Sequence, residues 1–460
     1  MRLLPLSYLN RGYFGAVAGA ISLLISPLAA AQTLRQEMTA AFSYNPTLQS
    51  AQATALQSTE VYNQAVGQTK LQITGTLTQT GVNGNSTGAF TRVDQNSGKI
   101  DLSQNLFQGS FDGIPAGVRQ AMGGILAAHA GYKSQEMDLM FQVVKAYMGV
   151  LRDQGSQGVA ISRVRNAEHE LRAAQARLDT GVGTRTDVAL AEANLAQAEA
   201  NLSLSQATVF SAQATYGQLI GRTDPALSDP GFPELPATLP AAIAVGLEQH
   251  PAIEAAKISL QIAQDAVITT RAKYGLNVAA FGQADITSNH TQSRTATTET
   301  YSLGVRASIP LWDSGIKKAA IRSAEQGVVI AQANLENQRA AIRAQIQAAW
   351  ANSRAQLANL NALIAATSAQ EVVMRATQAE FDAGTATFLQ VLNAQQAHAE
   401  SQNSYVRAKS DAVIAAYALL LATGGMTTEA LGLPVQHFNT LERFENHRNR
   451  TYGEIIRIWD

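Results

Sequence analysis

The chain contains the same series of landmarks twice, and this duplication limits its possible folds more than any other feature of the sequence. The second copy follows the first by 205 residues at Asn45 and His250, and by 203 residues at Gly221 and Gly424. The matched landmarks are Asn45-Pro46 with His250-Pro251, Leu106-Phe107 with Leu311-Trp312, Thr180-Gly181 with Ala383-Gly384, and Ile220-Gly221 with Thr423-Gly424. The offset changes by only two residues across four landmarks that occur in the same order. We therefore interpret the mature chain as two tandem repeats of about 200 residues each.

A proline-rich segment separates the two repeats. Five prolines fall between Pro225 and Pro240, a density that excludes a helix interior and interrupts the donor ladder of a sheet. We therefore expect an irregular connector there and a peripheral tail at the C-terminus. The predicted divisions are a signal peptide over 1–31, a first repeat over 32–224, a connector over 225–245, a second repeat over 246–433 and a tail over 434–460.

The first 31 residues have the pattern of a secretory signal peptide. Arg2 and Arg11 supply positive charge, an apolar run extends from Phe14 to Ile25, and small residues follow at 29–31. This order is typical of a segment that is removed during export. We therefore expect the mature chain to lie outside the inner membrane of a bacterium.

Each repeat contains a long stretch with strong helix propensity. Residues 116–224 and 311–433 have no proline and are rich in alanine, glutamine, glutamate and leucine. In the first stretch, apolar and small residues recur every seven positions, which predicts a coiled-coil seam rather than an ordinary amphipathic helix of a globular core. The two series of seam positions are Val188, Leu195, Leu202, Val209, Tyr216 and Ala191, Ala198, Ser205, Ala212, Leu219.

Glycine-containing segments interrupt the two helical stretches at matching places. They span 179–184 in the first repeat and 382–385 in the second, each with helical pattern on both sides. We predict that both are the tips of helical hairpins. The limb from 112 to 178 would reach about 100 Å as a straight helix, which is longer than a compact domain requires.

Two segments in each repeat alternate apolar and polar residues, which is typical of strands with one apolar face. We predict strand pairs near 68–107 and 274–310, with strands of about ten residues, a length suited to a tilted membrane span. The polar segments 81–98 and 286–300 are expected to be exposed hairpin ends. A small soluble sheet beside a helical domain is the alternative. The aromatic residues expected to form a membrane-interface girdle at the opposite strand ends are Phe107, Tyr274 and Trp312.

The composition argues against several classes of function. With 34 basic and 35 acidic residues the net charge is -1, so the chain has no general basic footprint for nucleic acid. It has no cysteine, which excludes disulfides, thiol catalysis and lipid attachment to an N-terminal cysteine. The histidines lack metal-pair spacing, and neither a nucleotide loop nor a hydrolase motif is present. We therefore predict no enzyme activity, no cofactor and no metal site.

The small number of strands constrains how they could enter a membrane. An open sheet edge in hydrocarbon would leave backbone groups unpaired, and four strands are too few to close a barrel with a lumen. Several chains would have to share one barrel, and three chains would supply twelve strands. The charged long helices, with residues such as Arg163 and Glu168, would extend into the aqueous periplasm.

The sequence as a whole resembles the TolC-like outer-membrane factors. The resemblance covers nearly the whole mature chain and rests on the duplicated plan, the Asn45-Pro46 and His250-Pro251 helix starts, the Leu106-Phe107 and Leu311-Trp312 strand exits, and the two glycine tips. It implies a mainly α fold with a small β part: a homotrimer with a twelve-stranded outer-membrane β-barrel continued by a long coiled-coil α-helical barrel in the periplasm. The implied partners are outer-membrane lipid, a periplasmic adaptor docked at tips containing Gly181, Gly183 and Gly384, and an inner-membrane ABC or proton-driven transporter.

The resemblance also implies a periplasmic gate at the hairpin tips. In the first tip, Thr186 and Asp187 match the family pattern, and Arg185 is a candidate ionic partner for Asp187. A first-turn or capping role for Asp187 is an equally good interpretation.

The second tip departs from the family pattern. Phe381 replaces a tyrosine and Ala386 an arginine, while Gln390 and Asn393 replace the two carboxylates that form rings. Rings of neutral amides attract cations less strongly than rings of carboxylates. We therefore expect weaker cation selectivity and weaker block by multivalent cations than in carboxylate-ring relatives, and a strong cation preference in a salt-gradient reversal potential would contradict this.

The resemblance leaves the cargo open. Multidrug channels of this family are often lipidated on an N-terminal cysteine, and the absence of cysteine favours a duct for type I protein secretion with an ABC transporter. Small-molecule efflux is the first alternative. A periplasmic coiled-coil spacer or adaptor that forms no channel is a further alternative, although an adaptor is expected to have one hairpin rather than a duplicated chain.

Overall fold

The computed structural model describes most of the chain. The described residues are 33–86, 89–222, 226–291, 294–439, 442 and 445. The predicted signal peptide, 1–31, and almost all of the predicted tail beyond 439 lie outside them.

The two halves of the chain have the same order of elements: two helices, two strands and two further helices. In the first half these are α1 (Leu34–Tyr44), α2 (Pro46–Gly67), β1 (Gln72–Ser86), β2 (Ala89–Gln108), α3 (Gly113–Asp179) and α4 (Arg185–Ile220). In the second half they are α5 (Leu239–Gln249), α6 (Pro251–Lys273), β3 (Asn277–Thr291), β4 (Thr295–Ser308), α7 (Ile316–Asp382) and α8 (Phe388–Ala422). The prediction of a mainly helical chain with a small four-stranded part is confirmed.

The duplicated Asn-Pro and His-Pro motifs start equivalent helices. Asn45 Oδ1 accepts a hydrogen bond from the Thr47 backbone N–H (2.9 Å), and His250 Nδ1 accepts one from the Ala252 N–H (3.2 Å). The proline that follows each cap occupies the first helical turn, where a missing N–H costs nothing. Burial lowers the pKa of His250, which favours the neutral imidazole that this cap requires.

Two long helices dominate the fold. Both α3 and α7 contain 67 residues, which corresponds to about 100 Å each. Each turns back at a predicted tip, so that α4 packs on α3 and α8 packs on α7. The predicted seam of α4 is confirmed, because Ala191, Ala198, Val209 and Tyr216 are buried. Within the described residues, no helix combines the length and apolar character needed to cross a bilayer.

The four strands form one antiparallel sheet in the order β1-β2-β3-β4. They contain 15, 20, 15 and 14 residues, so the expectation of about ten was wrong. The predicted hairpin ends 81–98 and 286–300 are mostly strand, with register pairs such as Gly81 with Asp94 and Ser288 with Thr297. Backbone hydrogen bonds join these polar segments, and such bonds do not require an apolar side chain at every second position.

The two faces of the sheet differ in polarity as the alternation predicts. The apolar face carries Ile73, Leu77, Tyr301, Leu303 and Val305, of which Leu77 and Leu303 are 91% and 90% exposed. The strand register places them with one another, since Ile73 pairs with Leu102, Leu102 with Gly282 and Gly282 with Leu303. The opposite face carries Gln72, Thr74, Thr76, Lys99, Asp101, Asp285, Thr300 and Ser302. One chain therefore exposes an apolar sheet face that it cannot cover itself.

Two glycines allow a close approach where the sheet meets the helices. Gly109 follows β2 with φ +64°, and a Cβ there would lie 2.2 Å from the Ala272 carbonyl oxygen at the end of α6. Gly275 lies directly against it, since a Cβ on Gly275 would be 2.5 Å from the Gly109 Cα. Nearby Phe107 stacks edge-on against Phe111 at a centroid distance of 5.4 Å. Trp312 is 88% exposed at the equivalent point of the second half, and its role in an aromatic girdle stays a prediction.

Gly109→Ala is expected to destabilise the fold by at least about 2 kcal/mol, because it combines a positive φ with a backbone overlap. The midpoint of urea unfolding of the purified protein, followed by circular dichroism, measures this effect. Gly75→Ala is the matched control, because a Cβ at Gly75 meets nothing within 4 Å. Equal midpoints for the two variants would contradict the close approach.

The connector and the start of the tail pack against the helices. The Tyr147 hydroxyl donates to the Ser228 carbonyl oxygen (2.5 Å), and Lys409 Nζ lies 2.5 Å from Asp229 Oδ2. Phe438 is buried against Tyr132, with ring centroids 4.8 Å apart. The expectation of a peripheral tail is therefore wrong for its first residues, because an aromatic side chain anchors them in the core.

Candidate functional site

The two hairpin tips have nearly the same backbone. Gly181 and Gly384 both adopt a left-handed conformation, with φ +76° and +79°. After each glycine the chain bonds back to the preceding helix: the Gly183 N–H donates to the Arg177 carbonyl oxygen (2.8 Å) and the Thr385 N–H to the Glu380 carbonyl oxygen (2.8 Å). These bonds satisfy carbonyl groups at the helix ends and fix a tight reversal. The predicted tips at Gly181, Gly183 and Gly384 are confirmed as turns, whereas their role in adaptor docking stays a prediction.

A threonine caps the helix that leaves each tip. Asp187 Oδ2 accepts hydrogen bonds from the Thr184 N–H (3.1 Å) and hydroxyl (2.7 Å), and Gln390 Oε1 accepts from the Thr387 N–H (2.7 Å) and hydroxyl (3.1 Å). Both are capping boxes, in which the threonine oxygen also receives the backbone N–H of the third residue. The Thr-x-x-Asp and Thr-x-x-Gln spacing in the sequence carries this signal, and it identifies Thr184 and Thr387 as capping residues beyond those predicted above.

The capping boxes determine where the predicted gate residues of the tips lie. Asp187 binds Thr184, and within the described residues it forms no ion pair with Arg185, so the expected Arg185 partnership is not present. Arg185 and Thr186 are exposed in the first turn of α4, and Gln390 and Asn393 are exposed in the first turns of α8. Their roles in a gate stay predictions.

One contact joins the two hairpins directly at the tips. The Arg177 guanidinium at the end of α3 lies over the Phe381 ring at the end of α7, 4.3 Å from its centroid. Arg177 Nη2 also lies 3.5 Å from Asp382 Oδ1. We call these three residues the tip contact. Phe381 lacks the tyrosine hydroxyl that the resemblance implies at this position, but it provides an aromatic face for a cation.

A small apolar cluster supports the tip contact from inside. Phe388 is buried at the start of α8 and meets Phe381 at a centroid distance of 5.7 Å. Ala174 of α3 and Ala191 of α4 complete the buried part of this cluster. The helix starts and ends of both hairpins thus pack as one unit. Arg177, Asp382 and Phe388 were missed by the sequence analysis, because no local pattern shows which residues of two distant turns will meet.

The described residues offer no metal centre: no group of three or more histidine, aspartate or glutamate side chains is arranged to hold an ion. At the tips, Arg177 and Asp382 form an ion pair, and Asp187 takes part in a capping box. These contacts hold the ends of the two helical hairpins in place.

Comparison with known proteins gives a consistent picture. A family model described as outer membrane efflux protein matches residues 38–222 and 243–425. The outer membrane efflux protein BepC of Brucella suis is 30% identical over 453 residues, covering 95% of this chain and 96% of BepC. The alkaline protease secretion protein AprF of Pseudomonas aeruginosa is 26% identical, covering 72% of this chain and 70% of AprF. The solved outer-membrane channel OprN has the same fold, with a TM-score of 0.70 and 21% identity over 85% of this chain and 90% of that one.

Proposed function

Since the chain belongs to the outer membrane efflux protein family, we propose that three copies form one exit duct through the outer membrane of a Gram-negative bacterium. The sheet is the membrane-spanning part, and the hairpins of α3, α4, α7 and α8 extend into the periplasm. The observation that carries this proposal is that the described residues of a single chain leave both lateral edges of the sheet and of the helical layer unpartnered.

The edge strands are the first of these open edges. In the described part of the chain, β1 pairs only with β2, and β4 pairs only with β3. In a bilayer, each unpaired backbone group on such an edge would cost several kcal/mol. Pairing β4 of one copy with β1 of the next removes every edge, and three copies give a twelve-stranded barrel that is wide enough for a lumen.

The helical layer has matching open edges. α3 packs on α4 and α8, and α8 packs on α7, so α4 and α7 lie at the two ends of the layer. Both expose large apolar side chains at distances from the tips that α4 spans, with Phe210 of α4 at 74% exposure and Ile364 of α7 at 49%. We infer that α4 of one copy packs on α7 of the next, which would close the helices into a tube that continues the barrel.

The polarity of the sheet supports its placement in lipid. The exposed apolar face, with Ile73, Leu77 and Leu303, would face hydrocarbon, and the threonine-rich opposite face would line a wet lumen. The tip contact would hold the periplasmic end of the tube closed. A periplasmic adaptor is expected at the tips, where Val182 is 82% exposed beside Gly181, and the inner-membrane transporter would supply the energy.

The experiment that tests the duct combines fractionation with electrophysiology. We expect the protein in the outer-membrane fraction as a heat-resistant trimer that forms pores in planar lipid bilayers. Release of a monomer by a carbonate wash, with no conductance after reconstitution, would support the non-channel spacer and contradict the duct.

Two cargo classes are supported by different observations. BepC matches this chain nearly end to end, and its name favours efflux. The name of AprF favours secretion of a polypeptide, as does the absence of cysteine for lipid attachment. Deleting the gene distinguishes them: raised drug susceptibility with an unchanged set of secreted proteins identifies efflux, and loss of a protein from the culture supernatant identifies type I secretion.

A further inference from the structure

A buried polar layer crosses the hairpins on the strand side of the tips. Glu170 of α3 is 9% exposed, and its Oε2 accepts a hydrogen bond from Asn194 Nδ2 of α4 (3.3 Å). Arg163 Nη2 donates to Asn194 Oδ1 (3.4 Å), and Gln395 of α8 interacts with the Glu170 carboxylate. An ionisable group therefore lies between the α3–α4 hairpin and α8.

This layer is incompletely satisfied. Within the described residues, Glu170 Oε1, Arg163 Nε and His398 Nδ1 are buried without a hydrogen-bond partner. A cavity of about 40 Å³ lies beside Arg163 and His398 and is also lined by Asn194 and Gln395, the two amide partners of Glu170. It is large enough for about one to three waters. Such groups require water or rearrangement, because an unsatisfied buried polar atom costs about 1–3 kcal/mol.

Glu170 also connects this layer to the tip contact. It lines a cleft of about 530 Å³ whose other walls include Arg177, Phe381 and Asp382. The cleft gives protons and water a route to the carboxyl group. It also means that separating the hairpins at the tips would open the surroundings of Glu170.

Burial disfavours the charged carboxylate and raises the pKa of Glu170, while Gln395, Arg163, Asn194 and His169 act in the opposite direction. When the hairpins separate, the carboxyl group meets water and its pKa returns toward the ordinary value. The packed arrangement therefore binds the proton more tightly, so acid stabilises packing and this stabilisation is lost as the pH rises through the raised pKa.

Other charged and titratable groups line the cleft that contains Glu170 or the small cavity next to its amide partners. They are Arg163, His169 and Arg177 of α3, Arg375 and Asp382 of α7 and His398 of α8, and α4 contributes only neutral side chains.

We propose that Glu170 makes closure of the duct depend on pH, with the protonated side chain holding the two hairpins together and the ionised side chain favouring their separation. Glu170 acts as a positioning residue, through Asn194 and Gln395, rather than as a group that contacts cargo. This inference rests on the proposed function as a duct.

The test compares open fractions of reconstituted channels as the pH on the tip side falls from 7 to 4.5. We expect the open fraction of the natural protein to fall at least about threefold, and Glu170→Gln, an isosteric neutral variant, to keep one open fraction throughout. Glu168→Gln, two residues away and exposed, is the matched control and should retain the pH response. Equal pH responses in the natural protein and Glu170→Gln would overturn the proposal.

A distance measurement separates failure of this proposal from failure of the duct. Because the chain has no cysteine, Val182→Cys and Thr385→Cys allow spin labels to be placed on the two tips. The proposal requires a shorter tip-to-tip distance at pH 4.5 than at pH 7, and requires Glu170→Gln to abolish the difference. A pH-independent distance in the natural protein contradicts the proposal even when the channel conducts, whereas absence of conductance at every pH contradicts the duct.

Discussion

Leu303→Arg is expected to prevent assembly of the protein in the outer membrane. Leu303 is 90% exposed on the apolar sheet face, in the rung that joins Gly282, Leu102 and Ile73. An arginine on the lipid face of a β-barrel costs about 2–4 kcal/mol near the middle of the bilayer. A trimer would contain the substitution three times, so the total cost of about 6–12 kcal/mol is comparable with the whole stability of a typical domain.

The neighbouring residue provides a matched control for this prediction. Ser302 lies one position along β4 and therefore on the opposite, polar face. Ser302→Arg should yield normal amounts of heat-resistant trimer in the outer-membrane fraction, whereas Leu303→Arg should yield almost none. Equal amounts of trimer from the two variants would show that the apolar face does not meet lipid.

Arg177→Ala should open the periplasmic end of the duct. The variant removes a cation–π contact with Phe381 and an ion pair with Asp382, in which both side chains are partly exposed. Together these interactions contribute about 1 kcal/mol per copy. If the three copies open together, the closed state loses about 3 kcal/mol, and the open-to-closed ratio rises on the order of a hundredfold.

Single-channel recording in planar bilayers measures this effect, and uptake of a large antibiotic by intact cells provides a second measurement. Arg185→Ala is the control, because Arg185 is exposed at the same tip and forms no ion pair within the described residues. An open fraction that Arg177→Ala leaves unchanged would exclude the tip contact as a latch. If Arg185→Ala opened the channel instead, the result would support the gate role that was predicted for Arg185 from the sequence.

The parts of the fold that repeat along the chain could be predicted from sequence. Heptad spacing located the seam of α4, where Ala191, Ala198 and Tyr216 are buried. Alternation of apolar and polar residues located both faces of the sheet. Helices and strands each repeat with a fixed period, so the order of apolar residues along the sequence shows which face is apolar. The family resemblance then followed from the order of these parts, and the family match confirms it.

Strand length was mispredicted because the alternation of apolar and polar residues shows only where one strand face is apolar. It does not show how far the backbone hydrogen bonds between strands continue. β1 continues beyond Leu77 to Ser86, and β2 begins at Ala89. Most residues in these extensions are polar or glycine. Outside hydrocarbon, a strand is held by its hydrogen-bond ladder whatever its outward residues are. The sequence pattern therefore marks where the apolar face ends, whereas the structure shows where the strand ends.

The candidate site was predicted only in part, for a physical reason. The tips and the residues in their first turns depend on local spacing, and the two capping boxes could have been read from Thr184-x-x-Asp187 and Thr387-x-x-Gln390. The tip contact between Arg177 and Phe381 joins residues about 200 positions apart, so it depends on how the two hairpins pack. Single-sequence reasoning has no access to that packing.

Cross-linking of β1 to β4 tests the shared barrel most directly. Within one chain, β2 and β3 lie between these strands, which places them about 14 Å apart, and a disulfide requires Cα atoms within about 7 Å. In the cysteine-free chain, Thr76→Cys is combined in turn with Thr298→Cys, Thr300→Cys or Ser302→Cys, all on the polar face. A trimeric barrel predicts that oxidation gives covalent dimers and trimers with at least one pair, and none with either single variant. Oxidised double variants that remain monomeric in every combination would contradict a barrel shared between copies.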